Sequence, residues 1–284
     1  MTAIAVITDS ASDLPEDEAT RLGVGVVSLT IRFGDQEFTD RVDLTPSEFW
    51  SKCRAAKVLP ETAAPSPGAF AAAYQRARDA GATGAIVLTL TAALSATHQS
   101  AVVGAESVPG FDVRVVDTQA VSMAQGLLTI AVAERAAAGD SLDELVALAE
   151  SLRPRVGVCA MLDTLEHLVK GGRVGGARAL IGQVLSIKPL LELKDGVVAE
   201  AGRQRTRAKA LAAIGAVARS HAPLSRLAIV HGDAADVAAF AQSVSDIALE
   251  HPLMVTDIGP VVGTHGGPGI IGLCWMEAAR PLHS

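Results

Sequence analysis

AIVLTLTAALSATHQSAVVGAESVPGFDVRVV, residues 85–116, holds a complete strand–loop–helix–strand unit. Ala85–Leu90 is an apolar run of strand length, and Thr91–Leu94 leads into a helix from about Ser95 to Glu106. Val113–Val116 is the next strand, followed by a long alanine-rich helix through Ala138. That rhythm predicts a largely parallel sheet covered by helices, because parallel neighbours need a crossover and a helix supplies it. Toward the N-terminus, Ala3–Thr8 reads as a buried strand that ends in the polar loop Asp9–Asp13. Val24–Phe33 is strand-like, and Gly34-Asp35 turns it toward Glu37–Thr39 as a hairpin. Thr45 and Glu48 have capping-box spacing with Pro46 between them, and Ser66-Pro67 starts a helix to about Ala80. Ser141 and Glu144 form a second capping box, for a helix ending near Leu152.

At Arg153-Pro154 the pattern restarts, which predicts two α/β domains, residues 1–153 and 154–284. Arg155–Ala160 reads as a strand and Asp163–Lys170 as a short helix. The glycine-rich segment Gly171–Gly176 follows, then a helix through Leu185. Ile187–Leu193 and Val197–Gly202 flank Lys194-Asp195-Gly196, a strong hairpin signal. A helix from Thr206, a strand at Leu227–Val230, a helix over Asp236–Glu250 and strands at Leu253–Asp257 and Ile270–Met276 complete the second unit.

The bulk properties exclude several classes. A chain of 284 residues that is 49% hydrophobic and 19% charged buries a large core and is not disordered. Only 3% of residues are aromatic, so that core is aliphatic. The net charge of −7 carries no dense Lys/Arg cluster, which argues against nucleic acid. Cys53, Cys159 and Cys274 are isolated and match no zinc or CxxC spacing, so no metal is expected and a reducing, cytoplasmic setting is. No apolar run reaches the length of a membrane span, and MTAIAVITDS lacks a signal peptide's basic start.

Four segments carry more Ser, Thr, His and Gly than turning requires: residues 8–12, 62–67, 94–100 and 263–267. The first and third follow predicted strands, and loops after parallel strands gather along the edge where ligands bind. Ser95 stands at a predicted helix start, whose free N–H groups suit a carboxylate or phosphate, or it simply caps the helix. Thr62 reads equally as a turn residue, and His265, beside Gly266-Gly267, lies where the backbone can approach a ligand closely.

In order and spacing, ITDSASDLP, TAAPSPGAF, LSATHQSA, VVDTQAVSMAQGL, LDTLEHLVKGGRVGG, SIKPLLELKDGVV and HGGPGIIGL resemble the DegV family of bacterial fatty-acid-binding proteins. The resemblance implies two α/β domains, with a mainly parallel sheet in the first and a mixed sheet in the second, and a monomer that holds one long-chain fatty acid between them. It implies a carboxylate held by Thr62, Ser95 and His265 with backbone donors near Ala96 and Gly266, an acyl tail in an apolar tunnel, and no cofactor and no catalytic residue of its own. It also implies that the lipid can be presented to a separate ATP-dependent fatty acid kinase; Arg173 and Arg203, both expected in loops, are then candidate contacts for that partner or its phosphate, or ordinary solvated or ion-paired arginines. The chain departs from the family pattern at Ala63-Ala64, at Ala96-Thr97-His98 and at Val174-Gly175, which bears on pocket shape.

Two rival readings come from residue types. Ser95, His265 or His98, and Asp9 would make a hydrolase triad, though no G-x-S-x-G elbow surrounds Ser95. Gly267–Gly272 formally matches GxGxxG, but it precedes a strand-like run instead of opening a helix.

Overall fold

The computed structural model describes residues 3–56, 58–180 and 187–279. In chain order the first half runs β1 (Ile4–Asp9), α1 (Glu16–Leu22), β2 (Gly25–Val27), β3 (Thr30–Phe33), β4 (Gln36–Thr39), α2 (Pro46–Ala55), β5 (Glu61–Ala63), α3 (Pro67–Asp79), β6 (Gly84–Thr89), α4 (Thr97–Glu106), β7 (Asp112–Asp117), α5 (Met123–Ala138) and α6 (Leu142–Leu152). The second half runs β8 (Val156–Met161), α7 (Glu166–Lys170), β9 (Lys188–Lys194), β10 (Val197–Gln204), α8 (Arg207–Ser220), β11 (Leu224–His231), α9 (Val237–Ser243), β12 (Met254–Asp257), α10 (Pro260–Gly266) and β13 (Ile271–Glu277).

A four-stranded sheet of order β2-β1-β6-β7 is parallel throughout, as the crossover rhythm requires. A six-stranded sheet of order β10-β9-β8-β13-β11-β12 is mixed, antiparallel except for its β11–β12 edge. A third sheet, β4-β3-β5, is small and antiparallel. Both capping boxes form, at Thr45 and at Ser141. The β9–β10 turn uses Asp195 and Gly196, both at positive φ, as a two-residue hairpin demands.

Several elements differ from the sequence expectation. Val24–Phe33 is two strands, because Leu29 donates its N–H to Ser10 Oγ at 3.0 Å and leaves the parallel sheet there. The helix over Asp236–Glu250 stops at Ser243, where the Ser243 and Ser245 hydroxyls donate to the carbonyls of Phe240 and Gln242. Helix α1, unforeseen, starts after Pro15 with three acidic residues in its first turn and ends at Gly23 in the left-handed region. The helix expected after Gly176 is a 3-10 turn over Gly175–Leu180, and its remainder to Leu185 lies outside the described residues.

Helix α5 is the spine. It packs against β1 and β6 of the parallel sheet and against β8, β11 and β13 of the mixed one. A helix apolar all round is what two covering sheets require, and Leu127, Leu128, Ile130 and Val132 are all fully buried. Gly126 lets it approach closely, since a Cβ there would lie 2.8 Å from the Ser12 carbonyl oxygen. Among the described residues, no helix is long and apolar enough to cross a membrane.

Leu127→Ala should lower the unfolding free energy by about 2–5 kcal/mol, the range for an unrelaxed core cavity. Urea denaturation checks it. A loss below about 1 kcal/mol would mean that the two sheets close over the gap.

Candidate functional site

Thr62 lies on β5 and not in a loop as expected. It pairs opposite Ile31, so alternation turns its side chain inward while Glu61 and Ala63 face solvent. The propensity signal was weak because the strand is only three residues long, between Pro60 and Pro65. Ser95 precedes the helix instead of starting it. Helix α4 begins at Thr97, after a turn over residues 92–94, and Ser95 Oγ accepts the Thr97 N–H at 3.3 Å and pairs with Thr97 Oγ1 at 2.8 Å.

His265 and Gly266 end α10. The side chain of Asp13 takes the Gly259 N–H at 2.9 Å just before this helix, and His167 Nδ1 lies 3.1 Å from the Thr264 carbonyl oxygen near its end. His265 Nε2 then meets Thr62 Oγ1 at 3.0 Å, across a sequence separation of 203 residues. Gly171 makes room for the imidazole, since a Cβ there would lie 2.3 Å from His265 Nδ1.

These residues surround one cavity of about 110 Å³. Thr62, Ser95, Arg173, His265 and Gly266 supply its polar lining, and Leu29, Leu90, Leu94, Val121, Leu193, Val198, Val261 and Val262 its apolar walls. The wall residues gave no sequence signal, because a leucine that lines a cavity and one that fills a core look alike in a pattern. Ala96 caps α4 on the exposed side and is not among the lining residues. The volume is below the roughly 300–1,000 Å³ of ordinary small-molecule sites.

Arg173 reaches the cavity from the second half, with Nε on the Leu94 carbonyl at 3.3 Å and Nη1 on the Gly171 carbonyl at 2.6 Å. Arg203 is on strand β10, not in a loop, because the antiparallel ladder with β9 extends to Gln204. It is exposed, ion-paired with Glu200, and outside the cavity lining. Burial, with Arg173 and His167 nearby, pushes His265 down to about 4, so its imidazole is neutral at pH 7.

Among the described residues, no hydrogen bond joins Ser95, His98 or His265, and Asp9 to one another. Asp9 accepts from the N–H groups of Ala11 and Leu90 and from Gln125 Nε2, which ties the loop after β1 to the loop after β6. His98 Nδ1 lies 3.1 Å from Thr89 Oγ1, and Ser95 is engaged with Thr97. Gly267 caps α10 and Ile271 already belongs to β13, so the glycine pattern opens no helix. No group of His, Cys, Asp and Glu able to hold a metal occurs among the described residues.

The model of an uncharacterised protein family, DegV, matches residues 3–278. The chain belongs to the DegV family. It is similar to a DegV domain-containing protein of Streptomyces coelicolor, 36% identical over 95% of this chain and 97% of that one. A DegV domain-containing protein of Deinococcus radiodurans is 37% identical over 99% of each. Among solved structures, a DegV family protein from Thermus thermophilus, described for its fatty acid binding, superposes with a TM-score of 0.90 at 37% identity, over 98% of this chain and 100% of that one. DegV from Bacillus subtilis, described as a fatty acid binding protein, gives 0.88 at 27% identity over the same shares.

This DegV chain buries two further carboxylates, Asp13 and Asp40. Asp13 receives Ser122 Oγ–H at 2.5 Å and lies 3.7 Å from Arg41 Nη2, yet burial raises it to about 6. Asp40 is fully buried, near the Ser10 hydroxyl but in no hydrogen-bond geometry with it, and burial raises it to about 7. An unfolded chain ionises Asp40 from about pH 4, whereas the folded one keeps the proton until about pH 7. Stability therefore drains away as pH rises through that window, by a few kcal/mol. Asp40→Asn, which has no proton to lose, should flatten this dependence. Urea unfolding at pH 5 and pH 8 should show the variant gaining on the parent protein at the higher pH; equal slopes would mean that water reaches Asp40.

Proposed function

We propose that this protein binds one long-chain fatty acid and presents its carboxylate to a separate ATP-dependent fatty acid kinase for acyl-phosphate formation. The Thr62–His265 hydrogen bond, in a largely apolar cavity that Ser95 also lines, is the observation that carries the reading. Two hydroxyls and an imidazole can direct hydrogen toward a carboxylate, and the backbone N–H groups near Ala96 and Gly266 are proposed as further donors. Arg173 adds a positive charge at the same place. The fatty-acid binding described for the Thermus thermophilus and Bacillus subtilis proteins supports the same reading.

The energetics divide the work. A dozen buried methylenes contribute roughly 10 kcal/mol gross at ~0.8 kcal/mol each, offset in part by lost ligand freedom. Charge-assisted hydrogen bonds add about 1.5–3 kcal/mol apiece, so the head group fixes orientation more than affinity. A long tail needs the apolar walls to part, and aliphatic walls with little hydrogen bonding are the kind that can. Entry of the carboxylate beside His265 would raise its pKa again, strengthening its role as a donor. The protein itself then needs no catalytic residue or cofactor, and acts as a monomeric carrier in the cytoplasm.

Thr62→Ala combined with Ser95→Ala should fold normally and lose on the order of 10- to 1,000-fold in fatty-acid affinity, from two lost bonds. Native mass spectrometry after incubation with a fatty-acid panel reads it: one lipid per parent chain, largely empty variant, with circular dichroism unchanged. Equal occupancy would remove these residues from the site. For the kinase role, Arg203→Ala should slow acyl-phosphate formation at equal lipid loading, and identical turnover would eliminate Arg203 as a partner contact.

A further inference from the structure

Helix α10 ends with a carbonyl that its own main chain does not satisfy. The fourth residue after Thr264 is Pro268, which has no N–H, and the Gly267 N–H goes to the Gly263 carbonyl at 2.9 Å. His167, on α7, fills the gap: its Nδ1 lies 3.1 Å from the Thr264 oxygen, and the side chain is buried. A carbonyl only accepts, so His167 carries a proton on Nδ1.

The ends of α7 and α10 also interlock. The His167 ring lies against Gly267, where a Cβ would come within 2.9 Å of its Cδ2. In return, the His265 ring lies against Gly171, the residue after α7, where a Cβ would come within 2.3 Å of its Nδ1. Each histidine is seated on a glycine of the other's segment, so the position of one ring is tied to that of the other.

That seat decides where the His265 proton goes. Gly171 has a hydrogen in the direction a Cβ would take, and this C–H is aimed at His265 Nδ1. A proton on Nδ1 would meet it head-on, whereas a lone pair accepts it as a weak hydrogen bond. Among the described residues Nδ1 has no hydrogen-bond partner, and it is closed to solvent. The neutral ring therefore holds its proton on Nε2 and donates it to Thr62 Oγ1 at 3.0 Å. Thr62 Oγ1 makes no other hydrogen bond among the described residues, so its own hydrogen is left for an acceptor in the cavity. We propose that His167 is a positioning residue of the carboxylate site: by holding Thr264 it keeps His265 on Gly171 in the Nε2–H form, which makes the Thr62 hydroxyl a donor to the ligand. The role rests on the fatty-acid reading above; the state of the ring does not.

Histidine-ring ¹⁵N signals of the delipidated full-length protein read that state directly, with His265 assigned by His265→Gln. The parent protein should show His265 protonated on Nε2 and titrating at about 4. His167→Leu, similar in size but without a donor, should mix the two tautomers of His265 and move its titration toward the ordinary value of about 6.5. The same variant should bind fatty acid about tenfold more weakly, the loss of roughly one hydrogen bond. His167→Asn, whose side-chain N–H falls near the Nδ1 position, should keep the parent's ring signals and most of its affinity. His167→Gln, whose N–H falls near Nε2 instead, should behave like the leucine variant, and this pair reads the proposal even where His167→Leu does not fold. A parent His265 protonated on Nδ1, His265 signals unchanged by His167→Leu, or asparagine and glutamine variants that behave alike would each overturn the proposal. Ring signals as expected in a chain that takes up no fatty acid would overturn the fatty-acid reading and leave the coupling of His167 to His265 standing.

Discussion

The buried carboxylate of Asp13 is the constraint on which the site depends. It lies in the loop after β1, yet it accepts the N–H of Gly259 from the other end of the chain and the hydroxyl of Ser122 at the start of α5. Gly259 has to be glycine, since a Cβ there would lie 2.9 Å from Asp13 Oδ1. Helix α10 is thereby fastened to the first half at both ends, by Asp13 before its first turn and by Thr62 at His265. Burying a carboxylate costs stability unless its hydrogen bonds are good, and the raised pKa of Asp13 shows that the cost is not fully offset. What the arrangement secures is position: two walls of the cavity, Val261 and Val262, and its imidazole all ride on α10.

Other contacts between the halves frame the same space. The hairpin tip at Gly196 offers its carbonyl to Thr91 Oγ1 at 2.9 Å, and Arg173 holds the Leu94 carbonyl just before Ser95. On the far side of the spine, Arg226 and Glu134 join β11 to α5 at 2.6 Å. Each pairs a loop or helix of one half with backbone or charge from the other, so the geometry of the polar lining is a property of the docked halves and belongs to neither alone.

Electrostatics gives the cavity its character. Arg173 lines a largely apolar space beside a neutral His265. Asp13 and Asp40 are not among the residues that line it. The Ser95 hydroxyl pairs with Thr97, and the Asp9 carboxylate accepts from the backbone of two loops.

The sequence by itself determined the α/β class, the parallel first sheet, both capping boxes and the hairpin at Asp195-Gly196, because periodicity, caps and turns are local signals that neighbouring residues carry. It also marked Thr62, Ser95, Arg173, His265 and Gly266, which resemblance singled out and the fold gathers around one cavity. Only the tertiary structure decided that Thr62 lies on a strand, that Ser95 precedes its helix, and that Arg203 sits on β10 away from the lining. It alone revealed that Asp9 and Asp13, in the polar loop after β1, are buried and bonded to distant backbone. The physical reason is separation along the chain: a hydrogen bond between residues 13 and 259, or 62 and 265, exists only once the spine helix has brought two sheets together.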